Sequence, residues 1–195
     1  MSLATRAGDI YYTFRFLKIL TTPWIETDAF KLGLIDDKGK RDKSIRIDTS
    51  EKKTAYTTFH RLAFNIKRLL ERLPGGTSKF ASYAAALFLL KEKFGVSDKN
   101  IEKILRETNM DTLDFMSENT QWFVLADNKL SPGIYRVKNE KLVESTLEEF
   151  VHPKDQIRVL DESYPIDYVM GLPIYKAIHL NTNQAVYITT GEIYK

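Results

Sequence analysis

The sequence predicts an α+β protein: an N-terminal all-helical domain with a central helical hairpin over residues 1–118, then a small β-barrel or curved antiparallel sheet over 119–195. Three observations predict it. Lys52 to Leu73 places Tyr56, Phe59, Leu62, Ala63, Ile66, Leu69 and Leu70 at three- and four-residue spacings, the stripe of an amphipathic helix. After Pro74-Gly75-Gly76 the run Ala84 to Leu90 is apolar on every side, so that second helix must be surrounded by protein. Beyond Asn119 the texture changes to short β-rich runs separated by Asn, Asp, Pro and Gly.

The elements follow in order. Ile10, Tyr11, Phe14 and Leu17 share a helical face, with Asp9 as the expected cap. Thr22-Pro23 signals a short helix that stops at Gly33, with Trp24 and Phe30 as core anchors. Asp36 to Lys40 is a turn, and Ile45-Arg46-Ile47 a brief extended piece. Asp48, with Glu51 three residues on, reads as a capping box opening one long helix. Thr77-Ser78 caps the apolar helix, Gly95 ends it, and Ser97 caps another carrying Ile101, Ile104 and Leu105. Asp111 to Met116 reads as a further helical turn. The expected strands are Trp122 to Leu125, Gly133 to Val137, Gln156 to Leu160, Ile174 to Leu180 and Ala185 to Thr189, the last two joined by a turn at Asn181 to Gln184.

Composition narrows the function classes. Apolar residues at 43% and charged residues at 28% suit a globular chain and argue against disorder or a coiled coil. No apolar run approaches the roughly 18 to 20 residues that span a bilayer, and Met1 to Asp9 has no export-signal pattern. The absence of cysteine excludes disulfides and thiolate chemistry. The net charge of +3 is uneven: residues 1–118 hold 21 Lys and Arg against 16 Asp and Glu, whereas residues 119–195 hold 8 against 10. A mildly basic helical half is compatible with nucleic acid or an acidic partner, and equally with an ordinary solvated surface.

No stretch carries a catalytic, cofactor or metal signature. His60, His152 and His179 lack zinc spacing. Pro74 to Lys79 has the residue types of a phosphate loop without its spacing or preceding strand. Gly95-Val96-Ser97 followed by Ile101 and Ile104 resembles the turn of a helix-turn-helix, but Lys91 stands where that motif wants a small residue. The exposed charges of its second helix also cancel.

Two surfaces are expected to contact partners. One is the basic stretch Lys38 to Lys53, with seven cations against three carboxylates, chiefly Lys38, Lys40, Arg41, Lys43 and Arg46; a solvated linker would look the same. The other is a Tyr- and Pro-rich patch of Tyr164, Tyr168, Tyr175 and Tyr187, which could instead fill the interior of the β domain.

Gly8 to Leu17, the Leu20-Thr21-Thr22-Pro23-Trp24 corner and Phe59-His60-Arg61-Leu62 resemble proteins of large contractile-tailed phages, small products of virion and head-assembly gene clusters. That resemblance implies a non-enzymatic protein without cofactor, found in the virion or the host cytoplasm. Its implied partners are phage capsid, neck or assembly proteins and no membrane, with nucleic acid and a second copy of the chain left open. The alternative is a nucleic-acid-binding regulator using the basic helical half.

Overall fold

The computed structural model describes residues 3–72, 77–107, 125, 127–143, 150–169 and 171–195. The expected Pro74-Gly75-Gly76 link, the helical turn at Asp111 to Met116, the strand at 122–124 and the boundary near 119 lie outside them.

Helix α1 (Leu3–Thr21) begins before Asp9, so Asp9 does not cap it. A 3-10 turn (Trp24–Glu26) and α2 (Asp28–Lys31) replace the single short helix expected after Pro23, because Thr27 is extended and its hydroxyl accepts from the Phe30 amide. The hairpin loop that follows is fixed by Asp36, whose Oδ1 accepts from the amides of Lys38 at 3.0 Å and Lys40 at 2.7 Å. Gly39 has φ +72°, and a Cβ there would lie 2.5 Å from the Trp24 ring, so the turn and the anchor require glycine together.

The long amphipathic helix is two helices, α3 (Ser50–Ala55) and α4 (Thr58–Arg72). Thr49, one residue after the expected Asp48, caps α3 by accepting from Lys52 N. The break at Tyr56 has a local cause: the Thr57 hydroxyl accepts from the His60 amide at 3.3 Å, offering the backbone a new helix start. The stripe read from sequence survives the break, since Phe59, Leu62, Ala63, Ile66 and Leu69 are all buried.

Helix α5 (Thr77–Phe94) packs against α4, and Ala81 to Leu90 are buried without interruption, as the missing polar face demands. Gly95 at φ +66° turns the chain into α6 (Asp98–Glu107), which buries Ile101, Ile104 and Leu105 beside α1. Ser97 caps α6 as expected, its Oγ accepting from the Asn100 amide at 3.4 Å, and Asp9 has its role here: its Oδ1 accepts from the Ser97 amide at 2.9 Å, tying the opening helix to the start of the sixth. Tyr12, Phe59 and Phe94, with ring centroids 5.1–5.2 Å apart, tie α1, α4 and α5 together.

The strands are β1 (Gly133–Val137), β2 (Lys141–Leu142), β3 (Phe150–Val151), β4 (Gln156–Val159), β5 (Asp167–Val169), β6 (Leu172–His179), β7 (Gln184–Ile188) and β8 (Ile193–Tyr194). All pairs are antiparallel. They form a sheet ordered β5-β6-β4-β1-β8 with β7 on β6, and a separate β2–β3 ladder. The expected β6–β7 hairpin is present, with Asn183 at φ +55° and its amide bonded to His179 O at 2.8 Å.

The sheet does not close into a barrel. One face buries Tyr135, Val137, Ile157, Val159, Tyr175, Ala177 and Val186 in a core of its own. At the β5 end, Leu172, Ile174 and Tyr187 face the other way and join the helical core, where Phe88 of α5 meets Tyr187 at 4.7 Å. The helix supplies the apolar cover that closure would otherwise provide. The protein is thus α+β, helices first and an open antiparallel sheet second.

Candidate functional site

The two surfaces expected from sequence fare differently. Lys38, Lys40, Lys43 and Arg46 are exposed on the loop between α2 and α3. Arg41 is engaged within that loop: its guanidinium donates to the carbonyls of Leu34, Asp42 and Ile45 and stacks over Tyr56 at 5.3 Å. It staples the turn and is withdrawn from the basic surface. Tyr175 and Tyr187 are buried, so they are withdrawn from the tyrosine patch. Tyr175 donates to Asn128 O at 2.9 Å and Tyr187 to Glu92 Oε2 at 3.2 Å, and burial pushes the Tyr175 phenol up to about 12.

Tyr164 and Tyr168 remain, and the structure adds a residue to them. Tyr164, Ile166 and Tyr168 occupy alternate positions on the segment leading into and along β5, and each is about half exposed at 46%, 47% and 49%. Alternation sends all three to one side of the sheet, opposite the side of Asp167, which faces α5 and pairs with Lys91 at 2.7 Å. Lys91 also reaches Asp98 of α6 at 2.8 Å. Burial works against its charge, but the hydrogen bonds to Asp167 and Asp98 hold its ammonium above the ordinary lysine range. The residue that spoils the helix-turn-helix pattern therefore joins α5, α6 and the sheet.

The stripe is anchored from behind. Lys129 lies 5.6 Å from the Tyr164 ring centroid and bonds Glu162 at 3.0 Å, and Leu130 N donates to Ser163 O. β5 is the end strand of the sheet, yet the amide of Tyr168 is taken by Asp167 Oδ1 at 2.8 Å. That carboxylate blunts the edge against addition of another strand, leaving the side chains as the means of contact.

A second feature was illegible in the sequence. A cleft of about 800 Å³ lies between α1, α2, α3 and α4, with Ile19, Ala29, Ala55 and Phe64 among its apolar lining. On its wall the Arg15 guanidinium lies 3.2 Å from His60 Nε2, while the Thr57 amide donates to Nδ1 at 3.3 Å and the Thr57 hydroxyl lies 3.0 Å from it. Burial, helped by the Arg15 charge and opposed by Asp28, lowers the imidazole to about 4. Both ring nitrogens are spoken for. Arg15, Lys18 and Lys31 face Glu26, Asp28 and Glu51 around the rim, and this balance of sign favours neither an anion nor a cation.

Comparison with known protein families, with characterised proteins and with solved structures finds no match. Among the described residues no helix is long and apolar enough to cross a membrane, and no group of three or more His, Asp or Glu could hold a metal ion.

Proposed function

We propose that the protein is a non-enzymatic interaction protein of the phage structural or assembly class, docking on another virion or assembly protein. The observation that carries this reading is the stripe Tyr164, Ile166 and Tyr168 on the end strand. Tyrosine is enriched where protein surfaces meet, because the ring offers apolar area with a polar tip at small entropic cost. Here the stripe is held on a sheet strapped to the helical core by Lys91, so its geometry is set before any partner arrives. The resemblance to contractile-tailed phage proteins supports the choice of partner class.

The test is a photo-crosslinking residue in place of Ile166, expressed in infected cells alongside mass spectrometry of purified particles. The expected result is a crosslink to one virion or assembly protein, lost when Tyr164→Ser and Tyr168→Ser are added. Normal particle assembly with that double variant, and no crosslink in cells where the protein is abundant, would overturn the reading.

A further inference from the structure

The cleft in the helical half has two walls of opposite charge. α1 packs on α4, α2 packs on α3, and the cleft is the gap between the two pairs. The α1–α4 wall carries Arg15 and Lys18, three residues apart and so on one face of α1, and no carboxylate lines it. The facing wall, made by α2, α3 and the 3-10 turn, carries Glu26, Asp28 and Glu51 against the single cation Lys31. Among the described residues none of these six charges is in an ion pair with another.

Between the walls the lining is apolar. Ile19, Ala29, Ala55 and Phe64 are buried and face the cleft. Its volume of about 800 Å³ falls within the roughly 300–1,000 Å³ of pockets that hold small organic ligands. Arg15 is set in place beforehand, because its guanidinium donates to the Tyr11 hydroxyl, lies against His60 and stands 5.8 Å from the Phe59 ring centroid. Donors remain on its fork for a ligand carboxylate.

Opposed walls select among ligands. A lone anion gains from Arg15 and Lys18 and is repelled by the three carboxylates across the cleft; a lone cation meets the reverse. A free amino acid carries both charges, but on neighbouring atoms, too close together to meet two walls. A short peptide separates its ammonium from its carboxylate by about 3.3–3.6 Å for each extended residue. We propose that the cleft binds short apolar peptides with free ends. The carboxylate lies against Arg15 and Lys18, the ammonium against Asp28 and Glu51, and the side chains rest on Ile19, Ala55 and Phe64. The site belongs to the helical half and is independent of the docking stripe on β5.

The test is isothermal titration calorimetry of the full chain at low salt with the tripeptide leucyl-phenylalanyl-leucine, supplied free, N-acetylated, C-amidated and blocked at both ends. The free form should bind. Each single block should weaken binding about fivefold, the scale of one charge contact at a partly exposed rim. The double block should lose both increments. Lys18→Gln should cost the free peptide a similar factor and the amidated one nothing, whereas Asp28→Asn with Glu51→Gln should cost the free peptide and spare the acetylated one. Ala55→Leu narrows the floor and should weaken all forms alike. Lys18, Asp28 and Glu51 are exposed, so their variants keep the test decisive if melting shows that Ala55→Leu does not fold. The proposal is overturned if the free peptide does not bind at millimolar concentration, or if the doubly blocked form binds as well as the free one, which would leave only apolar adsorption. Free phenylalanine binding as tightly as the tripeptide would overturn it too, as would an equal loss of free and amidated peptide in Lys18→Gln. None of these outcomes bears on the Tyr164 stripe.

Discussion

Among the described residues two lysines are buried, one on a helix and one on a strand, and they are kept there by different means. Lys67 on α4 donates to the carbonyls of Ile19 and Thr22 at the end of α1 and lies 4.3 Å from the Trp24 ring centroid, with Glu71 accepting from the same indole at 3.1 Å. Its partners are dipoles and a π-face. Lys141 on β2 is fully enclosed and pairs directly with Glu192, whose other oxygen accepts from the amide of Thr189 at 2.8 Å. Burial lowers both ammonium groups from the ordinary lysine value, opposed by Glu71 in one case and by Glu192 in the other. A cation resting on many weak acceptors loses them piecemeal, whereas a buried ion pair loses its whole compensation when one member goes.

That contrast sets the expected costs. Lys141→Met should destabilise most, by about 3–5 kcal/mol in urea unfolding, because Glu192 is left charged and enclosed. Adding Glu192→Gln should recover part of the loss. A cost below about 1 kcal/mol would mean that the pair is not the tie it resembles. Lys67→Met keeps the aliphatic stem and strands two carbonyls without leaving a buried charge, so a loss of about 1–3 kcal/mol is expected. Should Lys67→Met prove the costlier change, the comparison reverses.

Smaller still, Asp9→Ala removes the bond that ties α1 to the Ser97 amide at the start of α6 and should cost about 1 kcal/mol by the same measurement. Burial would raise this carboxyl, but hydrogen bonds from Asn100 and Ser97 outweigh it and hold the pKa below the ordinary value. Its contribution is therefore present above the unfolded value and lost as pH falls through the folded one.

His60 shifts the same way for a different reason. Its folded pKa of about 4 lies below the ordinary histidine value of 6.5, so between those limits the unfolded chain binds a proton that the folded one refuses. The stability His60 confers is complete above about 6.5 and declines toward pH 4. Melting across that range should show a shallower acid loss in His60→Gln than in wild type; an identical slope would show that the ring titrates normally.

The parts legible in the sequence were those with a period. The stripe of α4, the apolar surround of α5, and strands β1, β4, β6 and β7 announce themselves at spacings of three to four or two. The two-residue strands β2, β3 and β8 are too short to carry a period, and β5 is interrupted by its own exposed stripe. Of the expected contact residues, Tyr164 and Tyr168 are at the surface while Tyr175 and Tyr187 are inside. Tyr175 and Tyr187 sit on neighbouring strands, one residue apart in pairing register and on opposite faces, a distinction that only register supplies. Arg15 and His60 meet across 45 residues with no local signal at all.

The bond from Asp9 to the Ser97 amide closes a loop of 88 residues. During synthesis α1 leaves the ribosome first, yet the amide its carboxylate serves is made only after α2 to α5 have followed. Closing so long a loop carries an entropic cost that intervening structure must first reduce. The bond is therefore a late contact, and its formation reports that the helical half has assembled in order.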